Sequence, residues 1–317
     1  MTRAARVITA TLAALGAASV AALTWGALVE RRRWTVRHEE LRLLPPGASP
    51  LTILHLSDLH LAPWQRDKIA FVRSLAAFEP DLIVNTGDNM GHVDALPALA
   101  HAFAPFRGVP GVFVHGSNDF AGPVVKNPFR YLSGPSRASR EGEDLNVGAM
   151  ERLFSERLGW WDLNNRVRAV ELRGTALELL GIGDAHHRHD RLTRLPAQVE
   201  QLREAVEWSR AAALPPVTVG ITHAPYRRVL DAFVTEGTQL IMAGHTHGGQ
   251  VRIPGLPALV ANCDLPREQA QGVSLWRHGA GASVLEVSAG LGTSIYAPVR
   301  FACPPEAVIL TLTPATF

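Results

Sequence analysis

Residues 240–250 read LIMAGHTHGGQ: an apolar run, a glycine, two histidines two positions apart, and two further glycines. A short apolar run that stops at glycine and polar residues reads as a buried strand ending in a turn. Alternate residues of extended backbone point to one face, so His245 and His247 can share a site at or just beyond that strand end. Working outward, the same grammar recurs in LTILHLSDLH (51–60), DLIVNTGDN (81–89), GVFVHGSND (111–119), LELLGIGDAHH (177–187), VTVGITHAP (217–225), SVLEVSAGLG (283–292) and AVILTL (307–312). Helical patterns lie between several of them, over 68–78 before Pro80, 95–104 and 195–213. Strands alternating with helices predict an α/β domain whose ligands sit outside the carboxyl ends of the strands.

Those strand ends carry one kind of chemistry. The first supplies Asp58 and His60, the second Asp88, the third Asn118 and Asp119, a later one His223, and the quoted stretch His245 and His247. Carboxylate, amide oxygen and imidazole together form a ligand set for borderline divalent metals such as manganese, iron or zinc. A lone Asp-x-His occurs by chance in many proteins, and a lone His223 reads equally as a core or surface histidine. Five such elements in order, each closing an apolar run, are not explained by coincidence.

The ordered set DxH, GD, a GNHD-like element, a strand-terminal His and GHxH resembles the calcineurin-like metallophosphoesterase superfamily, over nearly all of 51–312. The GHTHGGQ run and the stretch VSAGLGTSIYAPVRFACPPEA (287–307) resemble its membrane-anchored bacterial branch, actinobacterial members in particular. The resemblance implies a four-layer α/β/β/α sandwich holding two divalent metal ions. By the same resemblance Asp58, His60 and His247 would hold the first, Asn118, His223 and His245 the second, and Asp88 both. Two metals clamp the attacking and leaving oxygens of an in-line displacement and activate a bridging water as nucleophile. No protein nucleophile is then required, and no GxSxG motif is present.

One element departs from the family. Where GNHD is usual, the chain reads Gly116-Ser117-Asn118-Asp119, without the histidine that protonates the leaving group. Read in one register, Ser117 is the ligand and Asn118 replaces the His. Shifted by one, Asn118 is the ligand and Asp119 takes the His position. An amide oxygen binds these metals better than a neutral hydroxyl, which favours the second, with Asp119 at the catalytic position. An Asp beside two dications is a poor proton donor at neutral pH. The substrate then has a good leaving group, or another residue supplies the proton, for which His186 after a strand is the candidate.

From Val7 to Val29 no residue is charged, while Arg3 and Arg6 precede and Arg31, Arg32 and Arg33 follow. A spanning helix needs about 20 apolar residues. A signal-peptide core has about 7–15. The length therefore favours an anchor over a cleaved signal, and the basic flanks argue against a buried soluble helix. The organisation expected is an anchor over 1–33, a polar link over 34–50 and a catalytic domain over 51–317. Within the domain, the Pro/Gly-rich segment 122–165 reads as an insert or flap, helical over 149–158, whose Arg130 is the candidate contact for an anionic substrate. Trp160 and Trp161 read as core.

Composition removes other classes. Charged residues are 19% and apolar residues 47% of 317, which excludes wholesale disorder. Two cysteines and no CxxC pair exclude a disulfide scaffold or a zinc ribbon. A net charge of +2 argues against a nucleic-acid partner. The expectation is a membrane-tethered, two-metal hydrolase of phosphodiesters or pyrophosphates, with a lipid-linked phosphate the attractive substrate. The alternative is a silent protein that uses the same metals to hold a phosphorylated ligand.

Overall fold

The computed structural model describes residues 2–124, 142–208 and 214–315. An apolar helix α1 (Arg3–Leu28) precedes two six-stranded sheets. The first sheet is built from β1 (Thr35–Leu44), β2 (Leu51–Leu56), β3 (Leu82–Asn85), β4 (Gly111–Phe113), β5 (Trp161–Asp162) and the last strand, β12 (Glu306–Pro314), in the order β1-β12-β2-β3-β4-β5. The second comprises β6 (Arg166–Leu172), β7 (Thr175–Ile182), β8 (Val217–Thr222), β9 (Leu240–Ala243), β10 (Gly272–His278) and β11 (Gly281–Val287), in the order β10-β11-β9-β8-β7-β6. Strands β2 to β5 run parallel, as do β7, β8 and β9.

Side-chain alternation makes the layers. In β2, Leu51 and Ile53 join Leu177, Val219 and Met242 of the second sheet in one buried cluster, the layer between the sheets. Leu54 and Leu56 point the other way, onto α2 (Arg66–Ser74), α3 (Ala95–Phe103) and α4 (Val147–Arg152). The outer face of the second sheet is covered by α5 (Leu195–Ala205) and α6 (Arg227–Thr235) through Val199, Leu230 and Phe233. The result is the four-layer α/β/β/α sandwich. Strands buried on both faces read as continuous apolar runs, which is why their sequences stand out.

The segment 34–50 is not a link. Residues 35–44 form β1, paired in parallel with β12 from Thr35 opposite Glu306 onward. Its sequence TVRHEELRLL lacks an apolar run because it is an edge strand with only Leu41 and Leu44 in the inter-sheet core. The helix over 149–158 is present as α4 continued by a π-helical turn at Leu153–Leu158, and α5 begins at Leu195. Residues 209–213 of the expected helix lie outside the described residues. Trp160 is buried against Phe103 and Phe154, whereas Trp161 lies under the Arg168 guanidinium. Cys263 and Cys303 are separate, buried thiols.

Candidate metal centre

The carboxyl ends of β2, β3 and β4 in one sheet meet those of β7, β8 and β9 in the other. At that junction the backbone turns sharply. Asp58, His60, Asp88, His245 and His247 all have positive φ, between 41° and 70°. Non-glycine residues rarely adopt this region, and clusters of them mark sites where geometry is imposed for function. Glycines make room around them. A Cβ on Gly290 would lie 2.5 Å from Asp58 Cβ, and one on Gly244 would lie 2.5 Å from Asp58 Oδ2.

These turns bring the side chains together. His60 Nε2 and His247 Nε2 are 3.3 Å apart, and His247 Nε2 lies 3.6 Å from Asp58 Oδ1. His223 Nε2 is 3.5 Å from Asp88 Oδ2 and 3.3 Å from His245 Nδ1. His60 Nε2 also approaches Asp88 Oδ2 at 3.5 Å, so Asp88 faces both groups. Asp58, His60 and His247 form one set able to hold a metal ion, and Asp58, Asp88 and His223 a second. Residues 51–249 match the calcineurin-like phosphoesterase family model. The chain belongs to this family. It is a metal-dependent phosphoesterase of a family that uses a dinuclear divalent-metal centre, and the residues of the two sets could hold metal.

Among solved structures, the phosphoesterase is similar to a purple acid phosphatase from yellow lupin seeds (11% identity, TM-score 0.41, covering 64% of this chain and 39% of that one). It is similar to the NAD nucleotidase of Haemophilus influenzae (12%, 0.45, 77% and 46%). A dimetal phosphatase from Danio rerio gives 12%, 0.41, 84% and 99%. The chain thus spans less than half the length of the first two. No curated protein matches it.

The donor set suits cations. Asp58 Oδ1 is buried without a hydrogen-bond partner, and the imidazole nitrogens of His60 and His247, and of His223 and His245, lie 3.3 Å apart. A cation would satisfy the Asp58 oxygen, because it accepts the lone pair that no donor takes. Burial pushes His247 down to about 4, and burial together with neighbouring imidazoles pushes His60 and His245 well below the ordinary histidine range. They are therefore neutral and able to ligate. Burial opposes the Asp58 anion, but His247, His223, His60 and the Ser57 hydroxyl outweigh it and hold its carboxyl below the usual range. Burial, with Asp58 and Asp119 nearby, raises Asp88 to about 7. Burial opposes protonation of His223 too, yet Asp88 and Asp58 lift it to about 9. Thr86 fixes the His223 ring, accepting from Nδ1 through its carbonyl at 2.7 Å. The Thr86 hydroxyl in turn lies 2.9 Å from His55, which pairs with Glu286, and Glu286 is salt-bridged to Arg37.

Asn118 lies against Asp88: its Nδ2 donates to Asp88 Oδ2 at 2.7 Å and its backbone N–H to Oδ1 at 2.8 Å. Asp119 does not take the catalytic position. Its buried carboxylate accepts the backbone N–H groups of Gly116, Asp88, Asn89 and Met90, so it braces the loop under the metal site and has no face toward the cleft. His186 does reach the site. Its ring centroid lies 4.7 Å from that of His245, its Nδ1 is 2.9 Å from the Tyr226 hydroxyl, and it lines a cleft together with Asp88, Asn118 and His245. Arg130, like Lys126, Arg137 and Arg140, lies outside the described residues. Gly122, Pro123, Val124 and Gly142 line the cleft, and Gly122 N–H donates to Glu143 O at 2.8 Å.

Three residues at the site carry no sequence signal of their own or only a faint one. Tyr226 sits one residue past His223-Ala-Pro225, and that proximity is its only signal. Asn262, on the cleft wall beside His245 Nε2, lies in a Pro/Gly-rich loop with nothing to mark it. Arg300 is buried and donates to the carbonyls of Ala289, Gly290 and Gly292, with His247 Nδ1 3.4 Å away.

Proposed function

We propose that this phosphoesterase is a membrane-tethered hydrolase of phosphodiester or pyrophosphate bonds whose natural substrate carries a lipid. The observation that carries the hydrolytic reading is the convergence of six titratable side chains from four strand ends on one cleft. Asp58, His60 and His247 would hold one cation, Asn118, His223 and His245 the other, and Asp88 both. Bound there, the cations supply Lewis acidity toward phosphoryl oxygens and lower the pKa of bound water. The chain's own work is to position and to move protons. Thr86 and the inter-sheet network orient His223, Asp119 holds the Asp88 loop, and the Asn118 amide N–H fixes the Asp88 carboxylate.

His186 is the group placed to hand a proton to a departing oxygen. Its Nδ1 is engaged by the Tyr226 hydroxyl at 2.9 Å, and its ring stands beside His245 on the cleft wall. With no histidine in the GSND element, a substrate whose leaving group is already stabilised is favoured, as in a diester of an acidic alcohol or a pyrophosphate. The tether supports the lipid. Helix α1 has 26 residues, about 39 Å at 1.5 Å per residue, enough for a hydrocarbon core of about 30 Å. The full chain, in detergent and loaded with manganese, is expected to hydrolyse bis-para-nitrophenyl phosphate faster than the monoester, and Asp88→Asn to lose both. Turnover of neither compound by protein that binds two equivalents of metal would end this reading.

A further inference from the structure

We infer that the loop tip at Val251, Ile253 and Leu256, together with Tyr296, seats the catalytic face on the lipid bilayer, so that the cleft opens at the head-group layer. This rests on the tether reading and says where the domain lies once α1 is in the membrane.

Helix α1 is not a loose tether. Gly26, the one buried residue in it, receives the Arg300 N–H on its carbonyl at 3.2 Å, and its α-carbon packs against Val299 and the Arg300 carbonyl. Four residues on, the buried Glu30 accepts the Cys303 N–H at 2.7 Å and the Trp25 indole N–H at 3.1 Å. Strand β1 follows almost at once. The segment 299–303 therefore joins the end of α1 to the domain, and its Arg300 reaches His247. The path from anchor to metal ligand is Gly26, Arg300, His247. A helix that leaves the domain there leaves it on the cleft side.

A second segment is strapped to the first. Phe301 N–H donates to Gln250 O at 3.0 Å, Arg252 N–H to Phe301 O at 2.8 Å, and Gln250 Nε2 to Ala297 O at 2.9 Å. From this strap the chain runs out to a tip and returns to Asn262 on the cleft wall. The tip offers apolar side chains to the outside: Ile253 is 51% exposed, Leu256 54%, Val251 37%, and on the strapped segment Tyr296 52%. Between His247 and Asp264 the one charged residue is Arg252, and from Val287 to Val299 there is none. Clustered apolar exposure of this kind marks an interaction surface. Its continuity with the end of α1 identifies the partner as the bilayer, with Trp25 and Tyr296 as aromatic residues suited to the interface and Arg31 to Arg33 beside them for anionic head groups.

The single substitutions Ile253→Cys, Leu256→Cys and, as a control, Leu214→Cys test this. Leu214 is comparably exposed but precedes β8, at the sheet edge opposite the cleft, and the native thiols are buried. The full chain carrying an environment-sensitive fluorophore at each position is reconstituted in phosphatidylcholine–phosphatidylglycerol vesicles containing head-group nitroxide lipid. A blue shift and loss of fluorescence at 253 and 256, with neither at 214, is the expected result. Unquenched labels at 253 and 256, on a chain that floats with the vesicles and turns over soluble diester, would overturn the seat and leave the tether standing. Equal quenching at all three positions would also overturn it. A chain that does not float removes the tether reading, and the seat with it. Retained soluble-diester turnover by each labelled variant checks that it is folded.

Discussion

The carboxylate of Asp119 accepts the Asp88 backbone N–H at 2.9 Å on one oxygen and the Asn89 N–H at 2.7 Å on the other. One carboxylate thus fixes the turn on which the proposed bridging carboxylate stands. Charge-assisted bonds of this kind contribute about 1.5–3 kcal/mol each, and losing the buried acceptor strands its donors. Asp119→Ala is expected to lower unfolding stability by about 3 kcal/mol, and Asp119→Asn, which keeps one acceptor, by less. Denaturant unfolding of the metal-free chain measures both. A general acid would behave differently: stability would hold while the alkaline limb of the pH–rate profile moved.

Removing a metal ligand separates binding from folding. His247→Ala deletes one ligand of the Asp58–His60–His247 set and leaves the Asp88–His223–His245 group whole. Elemental analysis is expected to fall from two equivalents of metal toward one. Where free metal stands 100-fold above the dissociation constant, the lost site takes about 2.7 kcal/mol of stabilisation with it. Unchanged stoichiometry would exclude His247 from the ligand set.

Metal-linked stability should depend on pH with a definite sign. In the metal-free fold Asp88 is raised to about 7 and His223 to about 9, so both hold protons that ligation must displace. Those protons stabilise the metal-free fold relative to the unfolded chain at low pH. The contribution of His223 is complete below about 6.5 and disappears as pH rises through about 9. For Asp88 the ionised form is the disfavoured one, so its contribution fades from about 4 up through about 7. The gain in melting temperature on adding manganese is therefore expected to grow between pH 6 and 9. A gain that shrinks over that interval contradicts the assignment.

His186 and Tyr226 predict a split between substrates. His186→Ala should lower kcat on an alkyl phosphodiester by about 100-fold and change turnover of a para-nitrophenyl diester little, since nitrophenolate leaves without a proton. Tyr226→Phe should give a smaller loss with the same substrate dependence, because it frees the ring without removing it. Equal losses on both substrates would make His186 a binding residue.

At the anchor, a Cβ on Gly26 would lie 2.6 Å from Arg300 O and 3.0 Å from Val299 Cγ1. Gly26→Leu is expected to lower domain stability by about 2 kcal/mol through overpacking, read as a lower melting temperature in lipid nanodiscs. No change would show that the strap between α1 and the 299–303 segment does not hold.

The strand ends and the donor side chains after them were legible in the sequence, because a strand buried on both faces is a continuous apolar run, and Asp58, His60, Asp88, His223, His245 and His247 each follow one directly. Strand β1 was not, since its pairing with β12 joins residues such as Thr35 and Pro305, 270 positions apart, and an edge strand needs no apolar alternation. Asp119 was misread because residue type states that a carboxylate is available, and only the fold states which donors surround it: four N–H groups from two loops had already claimed it. The Tyr226 hydroxyl on His186, the Asn262 wall and the path from Gly26 through Arg300 to His247 belong to the same class. Local periodicity and side-chain chemistry are written along the chain and determined what the site is made of. The direction each group faces depends on partners brought near by closure of two sheets, and that the tertiary structure alone decided.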